Sequence, residues 1–145
     1  MSEPGTPEAR AAELPAEPLA EQIRVAAHLE HAGELIRGQR WAEAEIQLLH
    51  ALAAGAADLR ALKPLALVRF KVGRYNEARD TYQVLAKAVP EDAGVHFNLG
   101  LIALKLEWFD EAVAELEVAA RLSSGDLRTW SYLGYAYART GRTAL

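Results

Sequence analysis

Residues 98–122 read NLGLIALKLEWFDEAVAELEVAARL, and this stretch decides the fold. Apolar residues recur three and four apart, as at Val113, Leu116, Ala119 and Ala120, the spacing of one helix face. Ala, Leu, Glu and Arg dominate, all good helix formers. The pattern predicts the end of one helix, a tight turn, and a complete second helix over about 109–122.

Sliding the chain against itself by 34 residues extends this reading in both directions without a gap. Ala44, Ala78 and Ala112 coincide, and Trp41, Tyr75 and Phe109 form an aromatic column. Glu43, Glu77 and Glu111 coincide, as do Leu48, Tyr82 and Leu116, and Ala51, Leu85 and Ala119. Leu65, Leu99 and Leu133 form a further column beside Gly100 and Gly134. Arg37, Lys71, Lys105 and Arg139 are always basic.

Each unit therefore reads as helix, turn, helix. First helices are expected at about 20–37, 60–72, 93–106 and 127–140, second helices at about 41–54, 75–88 and 109–122. Gly100 and Gly134 are expected to let a neighbouring helix approach closely, with Ala44, Ala78 and Ala112 as the small partners they face. Pro64 places the start of its helix near Lys63–Pro64, with proline in the first turn. Pro90 separates two units, because it cannot continue a helix.

The period, with the stretch above and WSYLGYAYARTG at 130–141, closely resembles the tetratricopeptide repeat. The resemblance covers about residues 25–145, as units 25–58, 59–92 and 93–126 and a partial unit 127–145. It implies an all-α fold, an α-solenoid or right-handed superhelix of antiparallel helix-turn-helix units. Its first helices would line a concave groove that holds partner peptides or proteins. The first unit diverges most: His31 replaces the expected leucine and Gly55-Ala56 the terminal proline, while Ser124 replaces the third unit's proline. Terminal units of solenoids commonly diverge. The sequence stops just before the small residue expected of a fourth second helix. Helix 127–140 is therefore expected either to cap the stack or to pair with another molecule through its open face.

Composition bounds the rest. With 145 residues, 51% of them hydrophobic and 25% charged, the chain is globular. Met1 to Pro18 is the exception, with four prolines and four glutamates against Arg10, a net of −3. It reads as a flexible acidic tail. The absence of cysteine removes disulfides, thiol catalysis and cysteine-based zinc sites. No apolar run reaches the ~18–20 residues of a membrane span, and the start is no secretory signal. A cytoplasmic location is expected. A pI of about 5.6 argues against nucleic acid as a partner.

No catalytic signature appears: neither a nucleophile elbow nor a phosphate loop nor a dinucleotide fingerprint. His28 and His31 lie three apart without a third ligand type beside them, and His50 and His96 read as isolated. Asp110-Glu111 opens a helix, where acids complement the dipole. The chain is expected to be no enzyme, with no cofactor and no metal.

The family geometry places Arg37, Arg60, Lys63, Phe70, Lys71, Phe97, Asn98, Leu101, Lys105, Arg128, Tyr132, Tyr135 and Arg139 on the groove, with Glu30 as its acid. A cation at a helix end is favoured by about 0.3–1 kcal/mol without any ligand, which accounts for Arg37, Lys71, Lys105 and Arg139. Arg60, Lys63 and Arg128 lie near helix starts and escape that explanation. Some family members clamp a terminal carboxylate with Lys, Asn and Arg. Lys63, Asn98 and Arg128 match part of that set, whereas Leu67 and Tyr132 stand where another Asn and a second base are needed.

The reading is a non-enzymatic adaptor, scaffold or chaperone-like module binding an acidic, partly apolar protein segment in its groove. The alternative is a self-assembling structural protein, a homo-oligomer formed through helix 127–140. The acidic tail is itself a candidate occupant of the basic groove.

Overall fold

The computed structural model describes residues 17–54 and 59–141, and among these it contains seven α-helices and no strand. They are α1 Glu17–Arg37, α2 Trp41–Ala54, α3 Leu59–Lys71, α4 Tyr75–Ala88, α5 Ala93–Lys105, α6 Phe109–Leu122 and α7 Leu127–Thr140. The acidic segment assigned to Met1–Pro18 lies outside the described residues up to residue 16, and α1 begins at Glu17. The expected boundaries agree with the observed ones to within a few residues.

The turn inside each unit has one repeated geometry. At the end of α1, Gln39 N–H donates to Ile36 O (2.9 Å) and Arg40 N–H to Leu35 O (2.8 Å). The pair recurs as Gly73 to Phe70 and Arg74 to Arg69, and again as Glu107 to Leu104 and Trp108 to Ala103. This is a Schellman closure, which satisfies the last carbonyls of a helix through one residue in the left-handed conformation. That residue is Gln39 (φ 58°), Gly73 (φ 84°) or Glu107 (φ 61°), with Gly141 (φ 74°) in the same register. The next helix starts at once, so the pair is forced antiparallel. Between units the devices differ: Asp92 caps α5 by accepting from Val95 N–H, and Asp126 caps α7 by accepting from Arg128 N–H.

Successive helices pack in chain order, giving three linked cores of buried side chains. Val25, Leu35, Leu48 and Leu65 fill the first, Tyr82, Leu85, Leu99 and Ile102 the second, and Val113, Leu116 and Leu133 the third. The columns Ala44, Ala78 and Ala112 and Leu65, Leu99 and Leu133 are all buried. Ion pairs stitch neighbouring units: Glu45, itself buried, receives Arg74 at 2.7 Å and lies 3.6 Å from Arg69, and Arg79 meets Glu111 at 2.7 Å.

Two expectations are corrected. Pro64 lies inside α3 rather than in its first turn, because the helix begins at Leu59. Its missing N–H removes one bond near the start of the helix, where the loss is small. The glycine column also divides. A Cβ on Gly100 would lie 2.6 Å from Leu116 Cγ, so its neighbour is Leu116 and not Ala112, while Gly134 faces no atom within 4 Å.

Candidate functional site

The helix-turn-helix alternation sets α1, α3, α5 and α7 parallel, with their starts at one rim of the stack and their ends at the other. Residues three and four apart on these helices share a face. On α3, α5 and α7 that face opens into a hollow of about 1160 Å³. Its walls carry Phe70, Lys71, Leu101, Lys105, Arg128, Tyr132 and Tyr135, seven of the thirteen residues expected on the groove. Tyr75, Leu104, Leu127 and Ser131 complete the lining.

The lining contains three cations and no carboxylate. Lys71 and Lys105 are exposed at the ends of α3 and α5, and among the described residues neither has a charge partner. Arg128 lies 3.3 Å from Asp126, and its guanidinium stands 5.2 Å above the Phe97 ring. The side-chain hydrogen bond from Arg128 holds the Asp126 carboxyl below the usual carboxylate range, so Asp126 stays ionised. Tyr132 meets Phe97 edge-on at 5.8 Å, and Phe70 meets Tyr75 in the same way at 5.7 Å. Two of the three tyrosines of α7 remain largely exposed, Tyr132 at 42% and Tyr135 at 50%, as does Leu127 at 81%, whereas Tyr137 packs against the third core. Apolar rings and ammonium groups thus share one open surface.

The other expected residues stand elsewhere. Lys63 reaches back to Asp92 at 2.7 Å, tying α3 to the cap of α5, and that hydrogen bond is the largest cause of the lowered Asp92 pKa. Phe97 supports Tyr132 and Arg128 from a half-buried position, and Asn98 is half-buried and not part of the lining. Arg37 lies against Gly33 on α1, and Arg60 is exposed near the start of α3. Arg139 stacks 4.6 Å over Phe109 and lines a second hollow of about 400 Å³ with Glu107, Trp108, Asp110 and Glu111.

Leu104 and Ser131 lie three residues from Leu101 and Arg128, so helical spacing alone would have included them. Tyr75 carries no such signal, because it opens a second helix and reaches the hollow through its contact with Phe70.

Three of the four histidines have structural partners. His28 bonds Gln47 at 2.8 Å, and His96 bonds Glu115 and the Pro90 carbonyl, each at 2.8 Å. His50, expected to be isolated, meets His28 edge-on at 5.3 Å. Among the described residues no group of three or more His, Asp or Glu is placed to hold a metal ion. No helix among them is long and apolar enough to cross a membrane.

Residues 63–126 match the family model of the tetratricopeptide repeat. A 47-residue stretch is 43% identical to Superkiller protein 3 of Schizosaccharomyces pombe, covering 32% of this chain and 3% of that protein. Among solved structures, the fold is similar to MamA 41-end from Desulfovibrio magneticus RS-1 (TM-score 0.77, 18% identity, 81% of this chain and 66% of that one). It is also similar to PcrH from Pseudomonas aeruginosa (TM-score 0.64, 17% identity, 81% and 89%). A third similar structure is the first TPR of Spaghetti (RPAP3), bound to the HSP90 peptide SRMEEVD (TM-score 0.76, 12% identity, 81% and 94%). The chain therefore spans a small fraction of the curated relative it matches and just under two thirds of MamA.

Proposed function

We propose that the chain, which belongs to the tetratricopeptide-repeat family, is a non-enzymatic interaction module. Its hollow on α3, α5 and α7 holds an acidic, partly apolar segment of another protein, in a cytoplasmic adaptor or chaperone-like role. One observation carries this reading: the lining combines Lys71, Lys105 and Arg128 with exposed Tyr132, Tyr135 and Leu127 and contains no acid. Exposed charge pairs contribute only about 0.2–1 kcal/mol each. Affinity therefore rests on apolar anchors against Tyr132 and Tyr135, while the cations select the partner and speed encounter. The stacked helices hold these rings in place beforehand, which lowers the ordering cost. The peptide bound to the RPAP3 domain is also acidic.

The test is fluorescence anisotropy with a fluorescein-labelled synthetic peptide carrying two glutamates and two phenylalanines between them. Lys71→Glu with Lys105→Glu is expected to weaken binding at least about tenfold, and Tyr132→Ala comparably. Both should leave helical content and melting unchanged. Equal affinity for all three proteins removes the groove reading.

A second reading is favoured by the open face of α7. Gly134 has no neighbour within 4 Å, and Trp130 nearby is 48% exposed. Stacking of that face on another copy would give an oligomer. Light scattering over a concentration series tests it, and a mass of one chain throughout rejects it.

A further inference from the structure

Lys71 and Lys105 end their helices at one rim of the hollow, and Arg128 stands in the first turn of α7 at the other. Lys105 is level with Arg139 in the 34-residue register, and Arg139 lies eleven residues beyond Arg128 on α7. At ~1.5 Å per residue the two cationic rims are about 16 Å apart along the helices.

The segment before α1 carries charges at that separation. Glu3, Glu8 and Glu13 follow one another at five-residue steps, with Arg10 the sole basic side chain among residues 1–16. A proline-rich chain in the extended polyproline form rises about 3.1 Å per residue, so five residues span about 16 Å. Between Glu3 and Glu8 stand Pro4, Gly5, Thr6 and Pro7, a P-x-x-P element. Such elements dock in aromatic-lined grooves, and this hollow is lined by Phe70, Tyr75, Tyr132 and Tyr135.

Reach permits the contact. The first helices are parallel, and Ala26 of α1 is level with Arg128 in the 34-residue register, so the start of α1 at Glu17 stands about 13 Å beyond the Arg128 rim on the same side of the stack. Three helix spacings of about 8–10 Å separate α1 from α7. Together with that offset the straight path from Glu17 to Arg128 is about 28–33 Å. Nine residues from Glu17 to Glu8 extend about 30 Å, with the two side chains closing the remainder, and fourteen to Glu3 extend about 46 Å.

We propose that residues 1–16 occupy the hollow of their own chain as an internal competitor. Glu8 pairs with Arg128, Glu3 with Lys71 and Lys105, and the prolines between them lie on Tyr132 and Tyr135. The inference rests on the groove reading above. A segment whose apolar contacts are prolines alone buries less area than one with phenylalanine or leucine anchors. It therefore yields to a true partner while excluding weak acidic ones.

The chain lacks cysteine, so Ser2→Cys takes a single nitroxide label in the full-length protein. Amide signals of Lys105, Arg128, Tyr132 and Tyr135 are expected to broaden, and Glu3→Gln with Glu8→Gln to restore them. Absent broadening, or broadening that survives the glutamine variant, overturns the proposal. A mixture of labelled and isotope-enriched copies separates the sources: broadening that arises only between copies also overturns it. In the peptide assay the glutamine variant should bind at least about threefold more tightly, as release of a two-thirds occupied site requires. Unchanged peptide affinity in that variant overturns the competitor and leaves the groove reading standing. A peptide that binds neither protein overturns the groove reading.

Discussion

Leu116 occupies the space that a side chain on Gly100 would need, with its Cγ 2.6 Å and its Cδ2 2.7 Å from the position of an added Cβ. This contact brings α5 and α6 together inside the third unit. Gly100→Ala is therefore expected to cost about 1–2 kcal/mol net, overpacking outweighing the gain of about 1 kcal/mol in helix propensity. Gly134→Ala, in the same register but in open space, should instead stabilise by about 0.5–1 kcal/mol. Urea denaturation of the two variants checks both signs.

Glu107 holds a left-handed backbone (φ 61°) where two other turns use Gly73 and Gly141. A side chain there costs about 1–2 kcal/mol. Glu107→Gly should recover roughly half to all of this, about 1 kcal/mol, offset in part by the larger entropy of the unfolded glycine. A rise in melting temperature is the expected result, and a fall would show that Glu107 makes a contact worth more than the strain.

Burial, aided by the nearby Asp92 charge, pushes the Tyr82 hydroxyl up from its ordinary value near 10 to about 12. The folded state thus favours the neutral phenol. The unfolded chain releases its proton first as pH rises, so the contribution is complete below about pH 10 and is lost between about pH 10 and 12. A two-unit displacement corresponds to about 3 kcal/mol at most. Tyr82→Phe should flatten the decline in stability over that interval, measured against the wild type by denaturation at each pH.

Lys63 belongs to the stack and not to the hollow, because it pairs with Asp92 at 2.7 Å. Lys63→Ala is expected to leave affinity for the acidic peptide unchanged and to lower stability by less than about 1 kcal/mol, as the pair is exposed. A tenfold loss of peptide affinity would return Lys63 to the binding surface.

The repeat made the helices legible in the sequence, since columns such as Trp41, Tyr75 and Phe109 mark the same step of each unit. What the period could not supply was the pairing of long side chains. Lys63 and Arg128 both stand near helix starts, yet one swings to Asp92 and the other remains at the hollow beside Phe97. Their acceptors come from caps and turns, where the repeat is weakest. Gly134 failed for a related reason. The column records where a neighbour belongs, and the described residues place none there.

Each helix packs chiefly on those next to it in sequence, with only slight contact between one first helix and the next, and this has a kinetic consequence. No contact in the core requires closing a distant loop, so contact order is low and folding should be fast for a chain of this length. Opening should proceed from the ends inward. Amide exchange in α7, which rests mainly on α6, would then report the fraying of one terminal helix while Tyr82 at the centre stays protected.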